Sequence, residues 1–144
     1  MYGYVLQDWS TIRGGTIADI IQGESTWMGF SSFQDIVFWL DVREITFPSG
    51  TSSLTWYYET SPSKDNNLFT PMDSVQITQT IGLTPGLQTP LKKIILANNP
   101  TVPLATWARW RLSPAGTAST WDATFRILCA ANRVVRESRM LSWR

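Results

Sequence analysis

Trp121-Asp122-Ala123-Thr124-Phe125-Arg126-Ile127-Leu128-Cys129-Ala130 is the stretch that decides the fold. Trp121, Ala123, Phe125, Ile127 and Cys129 alternate with Asp122, Thr124 and Arg126, the period-two signature of a strand with one buried face. Ser53-Leu54-Thr55-Trp56-Tyr57-Tyr58-Glu59-Thr60 repeats it, with Leu54, Trp56 and Tyr58 set against Thr55, Tyr57 and Glu59. Val75 and Ile77 against Gln76 and Thr78 repeat it on a shorter strand. Residues 36–45 start differently. Ile36-Val37-Phe38-Trp39-Leu40 is apolar on both faces, which predicts a central strand covered on both sides.

Turn chemistry separates these runs: Pro48-Ser49-Gly50, Ser61-Pro62 through Asn67, Thr84-Pro85-Gly86 and Ser113-Pro114-Ala115-Gly116. Each cluster fixes φ through Pro or supplies Gly or Asn where φ must be positive. The fold class expected is all-β, an antiparallel β-sandwich or jelly roll of about eight strands with irregular arms at both ends. The boundaries expected are an N-terminal arm over 1–34, the sandwich over 35–131 and a basic C-terminal arm over 132–144. The last segment holds Arg133, Arg136, Arg139 and Arg144 against Glu137, and reads as extended or weakly helical.

Composition narrows the function. The 144 residues fit one domain. Net charge is +1, so no bulk electrostatic drive toward nucleic acid or anionic lipid exists. Charged residues are only 16% and tryptophans number eight, so the rings are either buried or offered to a partner. Histidine is absent, which removes the commonest general base and metal ligand. Cys129 is the single cysteine, which excludes an internal disulfide or a thiolate zinc cluster. The start, Met1-Tyr2-Gly3-Tyr4, lacks the basic and apolar regions of a secretory signal, and the run Ile36–Leu40 is far short of a spanning helix. The reading is therefore a soluble chain made in a cytoplasm, neither a membrane nor a nucleic-acid partner, with no cofactor and no metal.

No nucleophile motif, phosphate loop or dinucleotide fingerprint occurs. Asp41 with Glu44 is the nearest approach to a catalytic carboxylate pair, and a solvated strand end explains it as well. Lys64-Asp65-Asn66-Asn67 with Asp73 offers oxygen ligands but not the spacing of a calcium loop. The reading assigns no enzymatic activity and no catalytic residue.

Two constellations remain. On a strand, Trp107, Arg109 and Arg111 share one face, a possible surface for stacking bases or sugars. The alternative is that the arginines pair across the sheet with Glu59 or Asp122 while Trp107 packs over their stems. The second constellation is the two ends. Tyr2, Tyr4, Trp9, Trp27 and Phe30 at one end, with Arg133, Arg136, Arg139, Trp143 and Arg144 at the other, are aromatic and arginine-rich, as interface cores are. They are the candidate interface residues; the alternative is that both ends wrap their own domain.

Phe38–Val42, Leu54-Thr55-Trp56-Tyr57-Tyr58-Glu59-Thr60-Ser61-Pro62, Trp107-Ala108-Arg109-Trp110-Arg111-Leu112-Ser113-Pro114 and Trp121–Ile127 together resemble small β-sandwich virion proteins of tailed bacteriophages. In these a strand ending in Thr-Ser-Pro opens a polar loop, and an aromatic-x-Arg-Trp-x-Leu strand precedes one ending in Phe-Arg-Ile. The resemblance is one of pattern over residues 35–131. It implies a structural role in the virion, foremost as a capsid decoration (cement) protein that bridges neighbouring subunits. It also implies partnership with the major capsid protein or other virion subunits, and a homo-oligomer, trimer or dimer. A tail or neck component, or a carbohydrate-binding β-sandwich module, are the alternatives.

Overall fold

The computed structural model describes residues 2–13, 17–47, 51–78, 102–116 and 121–134. Eight strands run in chain order: β1 (Tyr2–Arg13), β2 (Ile20–Ile21), β3 (Met28–Gly29), β4 (Phe33–Thr46), β5 (Thr51–Ser61), β6 (Thr70–Thr78), β7 (Trp107–Gly116) and β8 (Asp122–Arg133). Short 3-10 turns at Glu24–Thr26 and Asn66–Leu68 complete the described elements. The strands form two antiparallel sheets, a three-stranded one in the order β1-β8-β4 and a five-stranded one in the order β2-β7-β5-β6, with β3 also on β7. The β-sandwich expected from the sequence is the fold.

The alternating residues of β8 and β5 do what their period requires. Ala123, Phe125, Ile127 and Cys129 are buried from the three-stranded sheet, and Leu54, Trp56 and Tyr58 from the five-stranded one. They meet in ring contacts between the sheets. Phe125 meets Trp56 and Trp110 edge-on at 5.5 and 5.2 Å, and Phe38 stacks on Tyr58 at 4.5 Å. Burying one such ring stabilises the fold by roughly 1.5–3 kcal/mol, so this aromatic layer is the main cohesive force.

Gln22 stitches the sheets together. Its side-chain Nε2 donates to the Leu6 carbonyl of β1 (3.1 Å), while its Oε1 accepts from the backbone N–H of Trp110 on β7 (3.0 Å). Its own carbonyl accepts from the Trp27 indole at 2.8 Å. A buried amide satisfied on both ends fixes the spacing of the two layers on this side.

Three expectations are corrected. Residues 1–34 do not form an irregular arm throughout: Tyr2–Arg13 is a full strand along β8. Its alternation is obscured because the register shifts between Val5 and Gln7 and again between Gln7 and Ser10. Among the described residues, residues 36–45 form an edge strand and not a central one, since β4 lies at the end of the order β1-β8-β4. Ser113-Pro114-Ala115-Gly116 is not wholly a turn, because β7 runs through it to Gly116, whose φ of 126° makes the bend. Pro114 is tolerated because β2 pairs with β7 only at Leu112 and Arg111, leaving that flank without a ladder partner among the described residues.

Candidate assembly surface

Each sheet has one face in the core and one facing outward, and the two outward faces differ. On the five-stranded sheet, Trp107, Arg109 and Arg111 share the outward face as expected, but the chain covers them itself. Arg109 is only 3% exposed and donates from Nε to Glu59 Oε2 at 2.8 Å and from Nη1 to Asn66 Oδ1. Its guanidinium lies 3.9 Å from the Phe69 ring centroid and 5.1 Å from that of Trp27. Arg111 donates to Glu59 Oε1 at 2.7 Å and to Asp19 Oδ2 at 2.6 Å. Partial burial works against the Arg111 charge, yet the hydrogen bonds and charges of Glu59 and Asp19 outweigh it and hold its pKa above the ordinary guanidinium value. Two buried or half-buried cations thus face two carboxylates within a hydrogen-bonded network, the arrangement in which a desolvated ion pair is tolerated.

Arg109 is therefore not a surface stacking group. The cross-sheet pairing with Glu59 is present, and the covering side chains are Trp27 and Phe69 rather than Trp107. Trp107 is half-buried with the Lys64 ammonium 4.5 Å from its ring centroid. The Lys64–Asn67 loop, whose oxygens are candidate calcium ligands, is spent on this closure. Asp65 caps the 3-10 turn by accepting from Asn67 N–H at 2.9 Å, and Asn66 serves Arg109. Among the described residues no group of three or more carboxylate, thiol or imidazole side chains could hold a metal ion.

The three-stranded sheet presents the opposite face. Its register aligns Gly3 with Ala130 and Val37, and Val5 with Leu128 and Trp39, on the side opposite Phe125 and Ile127; of these Val37 and Ala130 are buried. Val5 is 55% exposed, and Gly3, Val5, Trp39, Leu128 and Ala130 line a shallow groove of about 360 Å³. Gly3 and Ala130 make its floor, because neither carries a side chain long enough to fill it. Toward the other end of the same face, Trp9 is 38% exposed and lies between the guanidinium groups of Arg43 and Arg126, at 4.9 and 4.8 Å. Arg126 is held by Asp41 Oδ2 at 2.8 Å. This face combines aliphatic surface, an indole and arginine, the composition of an interface centre.

The candidate interface residues separate accordingly. Tyr2, Trp9 and Arg133 are exposed, with Arg133 packed 4.7 Å over the Tyr2 ring. Tyr4 is half-buried against Phe30 and Phe33. Trp27 and Phe30 are buried in the chain's own fold and so are not interface residues. Arg136, Arg139, Trp143 and Arg144 lie outside the described residues, while Asn132 and Arg133 belong to β8. Sequence reasoning missed Val5, Trp39 and Leu128 on this face; Val37 and Ala130, at its centre, are buried. The double-sided apolarity of residues 36–40 predicts burial on both faces, which holds for Ile36, Val37, Phe38 and Leu40 while Trp39 is half-buried.

No family model matches the chain, and no curated protein matches it either. Among solved structures it is similar to a chain of infectious bursal disease virus, Gx strain, with a TM-score of 0.53, 11% identity, and 94% of this chain covering 33% of that one. A chain of the T13 viral particle of the same virus gives a TM-score of 0.53, 12% identity, and coverage of 92% and 30%. The K1 cleaved adhesin domain of Lys-gingipain from Porphyromonas gingivalis W83 gives 0.48, 14%, and coverage of 91% and 98%. The likeness to the two viral chains is one of fold, and this chain spans about a third of their length.

Proposed function

We propose that this chain is a structural protein of a virus particle, and specifically a bacteriophage capsid decoration protein that bridges neighbouring subunits of the shell. The observation that carries the reading is the outward apolar face of the three-stranded sheet, with Val5, Trp39 and Leu128 beside Trp9. Two things support it: the fold shared with chains of a virus particle, and the pattern resemblance to phage virion proteins. Its work is adhesive and involves no chemistry. A specific interface buries about 1,600 Å² in total, and many copies at subunit junctions add up without any single contact being strong. The partners are the major capsid protein or other virion subunits.

The test is co-sedimentation with shells of the major capsid protein, set against retention on immobilised polysaccharide. The chain is expected to pellet with shells, and to do so less well when residues 135–144 are removed from an otherwise folded domain. Retention on polysaccharide with no binding to shells would replace this reading by carbohydrate recognition.

A further inference from the structure

The arginines on the outward faces differ in what holds them. Arg109 and Arg111 share Glu59, and Arg126 is held by Asp41. Arg43 is exposed and has no carboxylate partner among the described residues, its guanidinium lying instead over the Trp9 ring. It is the residue that the register shift between Val42 and Glu44 leaves without a counterpart on β8. The adjacent Glu44 lines a separate polar hollow with Thr11, Arg13 and Thr124. A guanidinium over an indole uses its flat face, while its N–H donors lie in its plane and stay open to an acceptor. The stacking also orders the side chain in advance, so less freedom is lost when an acceptor arrives.

Trp9 precedes Ser10, which pairs with Phe125, and its ring also meets Arg126, so Trp9 and Arg43 stand at the Arg126 level of β8. Leu128 and Ala130, which line the apolar groove, follow two and four residues along, roughly 7 and 14 Å away. A surface that covers both the groove and Trp9 therefore covers Arg43 too. Covering it with apolar groups would strip water from an unpaired charge, so the partner must bring an anion to that point.

We propose that this face binds an extended protein segment that presents one acidic and two apolar residues at alternate positions. The carboxylate accepts from the in-plane donors of Arg43. The apolar side chains two and four residues along the segment lie beside Leu128 and over the floor made by Gly3 and Ala130. Alternate residues of an extended segment project to one side at intervals of about 7 Å, which matches this spacing. Carboxylate and guanidinium pair in a planar, bidentate fashion, which favours an acidic residue over a neutral amide. The inference rests on the assembly reading above and deepens it, by naming the chemistry that a shell subunit presents.

The probe is a synthetic pentapeptide, acetylated, amidated and labelled with a neutral dye, with aspartate first, leucine third and fifth, and serine between. Its binding to the full chain is followed by fluorescence anisotropy. The asparagine counterpart is expected to bind about tenfold more weakly. Arg43→Gln should lower the affinity for the aspartate peptide by the same factor and leave that for the asparagine peptide unchanged. Arg43→Glu should reverse the preference toward a lysine counterpart, a gain that a merely structural role of Arg43 does not produce. Val5→Ser should weaken the peptides alike. Absence of saturable binding, equal affinity for the aspartate and asparagine peptides, or indifference to Arg43→Gln would each overturn the inference. Arg43-dependent peptide binding by a chain that fails to pellet with shells would uphold it and overturn the virion reading alone.

Discussion

The outward faces of the two sheets carry the same kinds of residue, tryptophan and arginine, and use them in opposite ways. On the five-stranded sheet Arg109 is enclosed by Glu59, Asn66, Phe69 and Trp27, so its binding capacity is satisfied within the chain. On the three-stranded sheet Arg43 and Arg126 flank an exposed Trp9, and Val5, Leu128 and Trp39 line a groove beside them. What separates the two is loop coverage. The 3-10 turns at Glu24–Thr26 and Asn66–Leu68 precede Trp27 and Phe69, the two rings that cover Arg109. Residue type alone therefore does not mark a recognition surface; what differs is whether a neighbouring described segment of the chain covers it.

The largest expected effect falls on the closed face. Glu59→Gln strips Arg109 and Arg111 of their shared carboxylate and should cost about 3–5 kcal/mol of stability, as breaking a buried pair does, read as a fall in the urea midpoint. A loss below 1 kcal/mol would mean that the cage is not what holds this face shut.

Alkali probes the layer between the faces. Burial pushes the Cys129 thiol up to about 12 and, together with the charge of Asp73, drives the Tyr58 phenol well above its ordinary value. Both groups ionise more readily when unfolded. Their stability is thus complete below the ordinary thiol range and is lost as pH rises toward the folded values, by up to ~1.4 kcal/mol per pH unit for each group ionised only in the unfolded state. Thermal unfolding should shift downward from about pH 9. Cys129→Ala should flatten the first part of that fall. Native Cys129 should also resist thiol reagents, and rapid labelling would contradict its inward placement.

A smaller effect concerns Tyr58, whose hydroxyl is buried with no hydrogen-bond partner among the described residues. Removing an unsatisfied donor relieves a desolvation penalty of about 1–3 kcal/mol, so Tyr58→Phe should be neutral or stabilising while its stacking on Phe38 is kept. The smallest effect belongs to the open face. Val5→Ser should change folding stability by no more than ~0.5 kcal/mol, because Val5 is already in water. A large loss there would mean that the groove is part of the core.

The sandwich was legible where alternation is unbroken, as in Ser53–Thr60 and Trp121–Cys129, and so were the inward placements of Trp56, Trp110, Trp121 and Cys129. β1 was not, because two register shifts disrupt its period. The two-sided apolarity of β4 was legible as burial, which Val37 shows, but not its place at the end of the described order β1-β8-β4, because burial of both faces does not tell how many strands flank a strand. Trp27 and Phe30 were misassigned for a related reason: an aromatic in an irregular segment gives no sign of which face it will close. Gln22, which ties both sheets, carried no signal, since a lone glutamine between glycine and isoleucine reads as exposed loop.

The central claim is that the open face, and not the arginine-rich one, is where this chain meets its partner. Oxidative footprinting of the tryptophans on the chain free and bound to capsid shells tests it directly. Trp9 and Trp39 should lose labelling on binding while Trp107 keeps its own level. Protection of Trp107 with Trp9 and Trp39 unchanged would contradict the account.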